Sequence, residues 1–306
     1  MSLKLAPNRP GGTLILFPGA LGDAVCLEPT VARLSAEGPV TLCARGGAAE
    51  VAALFPSEPC VVSLDRPEIA WLFAPLGSPT SGDDPGLAFL GRFDRVRSFT
   101  GDSSAEMRER SLRHRDARLA PFPSRGGETH ASHAFLRAAL GDPRAFAPWP
   151  RLEVRRLAEP ASAAARRLVV HPGSGGKHKR SPERALLGVV RAWRGREGDV
   201  EVVLGPAESD ESTIWEDAGA AVSRPPDVRS LVATLARASC YVGHDAGPSH
   251  AAAALGVPTV VAFVASEPKS FGPRGRAVTW LDLRGAPNDA DRISERLWRC
   301  VGAELP

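Results

Sequence analysis

The sequence predicts an α/β protein of two Rossmann-like, doubly wound parallel-sheet domains facing each other across a cleft. Three observations carry this. Short β-branched apolar runs alternate with longer helical patterns along the chain, as in parallel strands joined by crossover helices. The alternation breaks once, at 141–160, where Pro and Arg gather and periodicity weakens, and then restarts. The length, 306 residues with 43% hydrophobic and 24% charged, suits two ordinary globular cores. The expected domains are 1–158 and 159–306, with a C-terminal helix at 289–301 packing back on the first.

In the first domain, strands are expected at 13–17, 40–43 and 60–64, apolar runs rich in Val, Ile, Leu or Phe, and near 94–99. Helices fall at 23–36, 48–54, 68–74 and 130–140, with an Arg-rich helical segment after the fourth strand. Residues 77–86, dense in Gly, Pro, Ser and Asp, read as turns. In the second domain, strands at 168–171, 201–204, 240–242, 259–263 and 278–281 alternate with helices at 182–194, 209–218, 228–238 and 249–255. The helix at 289–301 closes the chain.

Composition excludes several classes of function. A net charge of +3 is too small to argue for a nucleic-acid partner. Five cysteines without a CxxC pair point away from a disulfide framework or structural zinc and towards a reducing compartment. The N-terminus lacks the apolar core of a secretion signal, and no apolar run reaches the roughly 20 residues of a bilayer span. A cytoplasmic protein is expected.

Ligands of open α/β sheets bind beyond the C-terminal ends of the strands, and three motifs stand there. The first, FPGALGD at 17–23, follows the first strand. It is neither a Walker loop nor a GxGxxG fingerprint. Gly19 and Gly22 permit a tight turn, and Asp23 sits at the helix start. There Asp23 suits either a helix cap or a general base held at a cleft. The second, LVVHPGSGGKHKRSP at 168–182, is a strand, a Gly-rich loop and a helix start, the makings of an anion cradle. Lys177 and Lys179, two of only four lysines in the chain, fall in it with Ser174, Gly175 and Gly176. A compact ammonium suits a phosphate as a point charge, although a solvated basic loop would read the same way.

The third, YVGHDAGPSHAAAALG at 241–256, again runs from strand to helix. Its small residues let the helix close on the sheet, with Asp245, Ala246, Gly247, Ser249 and His250 around the helix N-terminus. The plain alternative makes Ser249 an N-cap and His250 a surface residue. His244, Asp245 and His250 lack the helical spacing of an HExxH site, so no metal is expected.

Together these motifs resemble glycosyltransferase family 9, the bacterial heptosyltransferases of lipopolysaccharide core assembly. The family's LGD, HPGS…K and DxGxxHxAAALGxPT segments correspond to 21–23, to 171–174 with Lys179, and to 245–259. The resemblance implies the GT-B fold, with the donor in the C-terminal domain and the acceptor in the N-terminal one. It implies Asp23 as general base, Ser174 and Lys179 on the donor diphosphate, Glu208 on the nucleotide ribose, and Asp245 with 247–250 completing the donor pocket. The reaction implied is inverting and metal-independent, without a cofactor beyond the nucleotide-sugar, ADP-heptose in the family.

This chain departs from the family pattern at three places. Ser181 replaces Trp, Ala246 replaces Thr or Ser, and an FGPTxP segment becomes FVASEP at 263–268. The departures leave open another base or sugar, a catalytically silent nucleotide-sugar-binding relative, or a GT-B-type epimerase. Residues 108–125 hold six Arg against two acids. That run, with Arg113 within it, suits a phosphorylated glycan or lipopolysaccharide acceptor and peripheral contact with the inner membrane surface, or simply a solvated face.

Overall fold

The computed structural model describes residues 11–75, 84–101, 104–124, 127–153, 166–205, 208 and 212–304. The chain divides into two compact units, 1–124 with 131–148 and 125–130 with 149–306. The expected boundary at 158 and 159 lies outside the described residues.

In the first unit, β1 (Thr13–Leu16), β2 (Val40–Ala44), β3 (Cys60–Ser63), β4 (Arg95–Ser98) and β5 (Ala117–Leu119) form one parallel sheet in the order β3-β2-β1-β4-β5. Every residue of β1 is buried, as expected of a central strand covered on both faces. The helices are α1 (Leu21–Ser35), α2 (Gly46–Ala52), α3 (Pro67–Ala70), α4 (Pro85–Leu90), α5 (Ala105–Leu112) and α6 (Ala131–Leu140). Phe17, Phe99, Phe122 and Phe135 meet ring to ring beyond the ends of β1 and β4, with centroids 5.0–6.3 Å apart.

Three elements here correct the sequence reading. Residues 85–90, partly inside the stretch read as turns, form α4. Asp84 caps it by accepting from the Gly86 and Leu87 amides, and Pro85 takes the first helical position. Within the arginine run, α5 ends at Leu112 and the chain then pairs as β5 along β4. The helix expected at 68–74 is only Pro67–Ala70.

In the second unit, β6 (Arg167–His171), β7 (Asp199–Val203), β8 (Ala221–Ser223), β9 (Cys240–His244), β10 (Thr259–Phe263) and β11 (Val278–Asp282) form a parallel sheet in the order β11-β10-β9-β6-β7-β8. Between them run α7 (Glu183–Arg194), α8 (Ser212–Asp217), α9 (Val228–Leu235), α10 (Gly247–Ala254) and α11 (Pro268–Phe271); α12 (Ala290–Glu304) ends the chain. The core joins Leu168 and Val170 of β6 to Leu186, Val189, Val190 and Trp193 of α7 and to Ile293, Leu297 and Val301 of α12. The C-terminal helix thus packs on α7 and on strands of its own unit. Among the described residues no helix is long and apolar enough to cross a membrane.

Candidate functional site

Both sheets reverse their winding beside their first strand, between β1 and β4 in one unit and between β9 and β6 in the other. Loops diverge at such a point and leave a crevice. The second and third motifs therefore leave neighbouring strand ends. Ala251 to Ala254 are buried, and small side chains are what let α10 lie close to the sheet.

A polar network ties the two loops together. The Lys179 ammonium lies 2.7 Å from Asp245 Oδ2, both side chains being less than 15% exposed. Ser266 Oγ donates to the same oxygen at 2.6 Å, and Ser174 Oγ donates to the Asp245 carbonyl at 2.8 Å. Burial alone would raise the Asp245 carboxyl. The hydrogen bonds from Lys179 and Ser266, with the Lys179 charge, outweigh it and hold the group below its ordinary range. Lys177, His178 and Gly175 lie exposed on the outer part of the loop, and a short 3₁₀ turn, Lys177–Lys179, carries the lysines.

Glu208 lies beneath the loop, 3% exposed. Its carboxylate pairs with Arg180 and accepts from the Gly205 amide at 3.0 Å. A Cβ on Gly173 would stand 2.7 Å from that carboxylate, which is why the loop needs glycine there. His171 is buried beside it and donates from Nδ1 to the Val203 carbonyl at 2.9 Å. Burial pushes its titration below the usual histidine range.

Ser249 is neither an N-cap nor open to solvent. Ala246 is the N-cap of α10 and has no side-chain acceptor; Ser249 lies in the first turn with 0% exposure. The Ser249 hydroxyl donates to the His244 carbonyl at 2.6 Å and accepts from Tyr241 at 3.0 Å. The Ser249 hydroxyl, expected at the donor, is thus used inside the second unit. His250, read alternatively as a surface residue, is buried at 5% exposure. Gly247 starts the helix, and Ala246 leaves its first amides without a capping hydroxyl.

In the first unit, Asp23 occupies the third position of α1, and its Oδ2 accepts from the Ala20 amide at 2.9 Å. The capping geometry is thus present, with the carboxylate still partly exposed. Gly19 is required by crowding, since a Cβ would stand 2.5 Å from the Phe17 ring and 2.8 Å from Asp23 Cβ. Gly22 lies in the first turn of α1. Past the ends of β1 to β4 opens a cavity of about 510 Å³ lined by Pro18, Arg45, Asp65, Arg66, Phe73 and Thr100 among others. Arg66 is engaged by Glu68 at 2.8 Å, and Arg45 stands 3.9 Å from Asp65.

The arginine run does not act as one patch. Arg110 is 3% exposed, bonded to Asp84 and to the Leu72 and Ala74 carbonyls. Arg113 is exposed and pairs with Glu109 at 2.6 Å. Arg108 and Arg115 are exposed beside Leu112, which is 81% exposed, and Arg125 lies outside the described residues.

Sequence reasoning missed Ser266 and Arg180, and it missed that Ser181 meets His244. Ser266 lies in the segment already noted as departing from the family pattern. Among the described residues, no group of three or more His, Cys, Asp or Glu side chains could hold a metal ion.

The sequence profile of glycosyltransferase family 9 (heptosyltransferase) matches residues 144–296. No curated protein matches the sequence. Several solved structures share the fold. A glycosyltransferase family 9 protein from Veillonella parvula aligns with a TM-score of 0.74 at 12% identity over 98% of both chains. The E. coli heptosyltransferase WaaC with ADP aligns with a TM-score of 0.71 at 16% identity over 96% of this chain and 99% of its own. The E. coli ADP-heptose lps heptosyltransferase II aligns with 0.70 at 15% identity over the same shares.

Proposed function

Because the chain belongs to glycosyltransferase family 9, the heptosyltransferase family, and is a glycosyltransferase, we propose that it transfers a heptose or related sugar, with inversion and without a metal. The donor is a nucleoside-diphosphate sugar, ADP-heptose foremost, since similar structures carry ADP and ADP-heptose in their names. The acceptor is a phosphorylated glycan, lipopolysaccharide core in the first instance.

The observation that carries this reading is the Lys179–Asp245–Ser174–Ser266 network at the reversal point of the second sheet. Lys179 Nζ keeps two further N–H groups for a diphosphate after pairing with Asp245. Gly175, Gly176 and Lys177 on the loop, with the uncapped first turn of α10 at Ala246 and Gly247, supply further donors. Such preorganised donors at a developing oxyanion are worth about 3–4 kcal/mol each. Glu208, Asp245 and His250 shape the rest of the donor pocket. Nucleotide hydroxyls fit the acceptor positions that Glu208 still has beside its bonds to Arg180 and Gly205.

Asp23 takes the proton from the acceptor hydroxyl as that oxygen attacks the anomeric carbon, and the nucleoside diphosphate leaves. Only one of its oxygens has an amide partner described, so a carboxylate oxygen remains for a proton. Gly19, Gly22 and the cavity floored by strands β1 to β4 belong to acceptor binding. Arg113, Arg108 and Arg115 around the exposed Leu112 suit anionic acceptor groups at a membrane surface.

The test is Asp23→Asn, with transfer and nucleotide affinity measured on the same preparation. Transfer is expected to fall by about 10²–10⁴-fold, the usual worth of a general base, with affinity unchanged. Transfer at near wild-type rate would remove Asp23 from this role.

A further inference from the structure

The loop from Pro172 to Ser181 contains Gly173, Gly175 and Gly176, residues that do little to restrict their own backbone. Yet it holds Ser174 and Lys179 at fixed places against Asp245. What closes the base of this loop is His244, the last residue of β9, which is 1% exposed. Its Nδ1 lies 3.0 Å from the Pro172 carbonyl oxygen, which can only accept, so Nδ1 carries a proton. Its Nε2 lies 3.0 Å from the Ser181 amide, which can only donate, so Nε2 carries a lone pair. Ser181 Oγ, 2.9 Å away, donates to the same nitrogen. The Pro172 carbonyl and the Ser181 amide thus specify one neutral tautomer, and that ring joins the first residue of the loop to the last.

The charged groups around the ring agree with neutrality. His171 on β6 is buried and held by Val203. Arg180 on the loop is paired with Glu208, and Asp245 on the ring's own chain is taken by Lys179 and Ser266. Ser181 stands where the family pattern has Trp, and in this chain its amide and hydroxyl both meet His244 Nε2.

We propose that His244, acting through Pro172 and Ser181, is the positioning residue that closes the phosphate-binding loop and sets where Ser174 and Lys179 stand. The inference rests on the reading of this loop as the donor-diphosphate site. His244 touches no reacting atom. Its part is to keep the loop in the shape that receives a diphosphate before one arrives.

The experiment uses the full chain as wild type, His244→Leu, His244→Asn, His244→Gln and Ser181→Ala. Leucine removes both halves of the clip. Asparagine keeps an amide near Nδ1 for Pro172, and glutamine can place an oxygen near Nε2 for Ser181. Hydrogen exchange of the nucleotide-free proteins and titration with ADP and UDP are read together. In His244→Leu, amides of 173–181 should exchange at least about tenfold faster while those of β1 and α12 do not change, and nucleotide affinity should fall about tenfold. Asn and Gln should each recover part of both, and Ser181→Ala should fall between, with no further loss when added to His244→Leu.

Loop exchange within about twofold of wild type in a folded His244→Leu protein would overturn the proposal, as would Asn and Gln variants no better than Leu. Should the Leu variant not fold, the Asn, Gln and Ser181→Ala proteins decide by the same criteria. A wild-type chain that binds neither nucleotide counts against the donor-site reading. The exchange data on nucleotide-free protein then still decide whether His244 holds the loop.

Discussion

At the scale of single residues, the proposed donor site of the second unit is made of buried groups whose charge states are fixed by partners. Lys179→Ala would take from the Asp245 carboxylate its ammonium partner and leave it, among the described residues, the Ser266 hydrogen bond. Losing one partner of a buried pair costs about 3–5 kcal/mol, and the slight exposure of both side chains puts the expected loss near about 3. Nucleoside-diphosphate affinity should fall with it. The pH dependence has a definite sign. Asp245 titrates below its ordinary range when folded, so the stability it contributes is present above that range and is lost as pH falls through the lowered value. In Lys179→Ala the folded carboxyl rises towards or past its unfolded value, so the Asp245 part of the acid loss should shrink or reverse. In the wild-type chain His244 adds to the acid loss: burial, outweighing the Pro172 bond that favours the charged ring, brings it from 6.5 to about 4. Between those values the unfolded chain binds the extra proton, so stability declines as pH drops from 6.5 towards 4, by about 3 kcal/mol in all at about 1.4 per unit. Urea unfolding at pH 7, 5.5 and 4.5 measures the His244 part, and at pH 3 the Asp245 part. A pH-independent midpoint across that range in wild type would contradict the neutral, buried His244.

At the scale of elements, the arginine run shows how far a charge pattern can be read. Six arginines in 108–125 look like one patch in a sequence, yet Met107, Arg110 and Ser111 form the buried side of α5 at helical spacing. Arg110 there reaches Asp84, the cap of α4, and the carbonyls of Leu72 and Ala74. It joins three segments by charge-assisted bonds and is unavailable to a ligand. The periodicity that would have revealed this was present in the sequence, but the density of charge concealed it. Arg110→Met is therefore expected to destabilise the first unit by about 3–5 kcal/mol, since Asp84 and two carbonyls lose a common donor. Arg115→Met, on an exposed side chain, should change stability by less than about 0.5 kcal/mol. Equal effects of the two substitutions on the denaturation midpoint would refute the latch. The residues missed elsewhere share a physical cause. β5 and β8 have three residues each, too few to display a period of two. Asp84 and Pro85 start α4 with the same residue types that mark a turn. Ser181 and His244 are separated by 63 positions, and only strand adjacency brings them together.

At the scale of the whole molecule, the alternation of elements made two parallel sheets legible, because buried strands between helices must be apolar along their length. It also made the three motifs legible, because each is contiguous and each follows a strand. Their junction depended on strand order, which places β9 beside β6 and so sets Asp245 against Lys179 and Ser174. A ligand seated there binds folded second unit and not unfolded chain, so it must raise that unit's stability. A nucleoside diphosphate at about 100 times its dissociation constant adds about 2.7 kcal/mol. For a unit of this size that corresponds to a midpoint raised by roughly 5–10 °C. The measurement is calorimetry with ADP, UDP, GDP, CDP and dTDP, each with and without EDTA. One base should stand out, and EDTA should leave its shift unchanged if, as proposed, Lys179, the loop amides and the first turn of α10 supply the positive field that a metal would supply elsewhere. In Lys179→Ala the same nucleotide should give a smaller shift, in proportion to lost affinity. A shift that vanishes with EDTA would assign the diphosphate to a metal and overturn the metal-independent mechanism. A full shift in Lys179→Ala would move the diphosphate away from this loop.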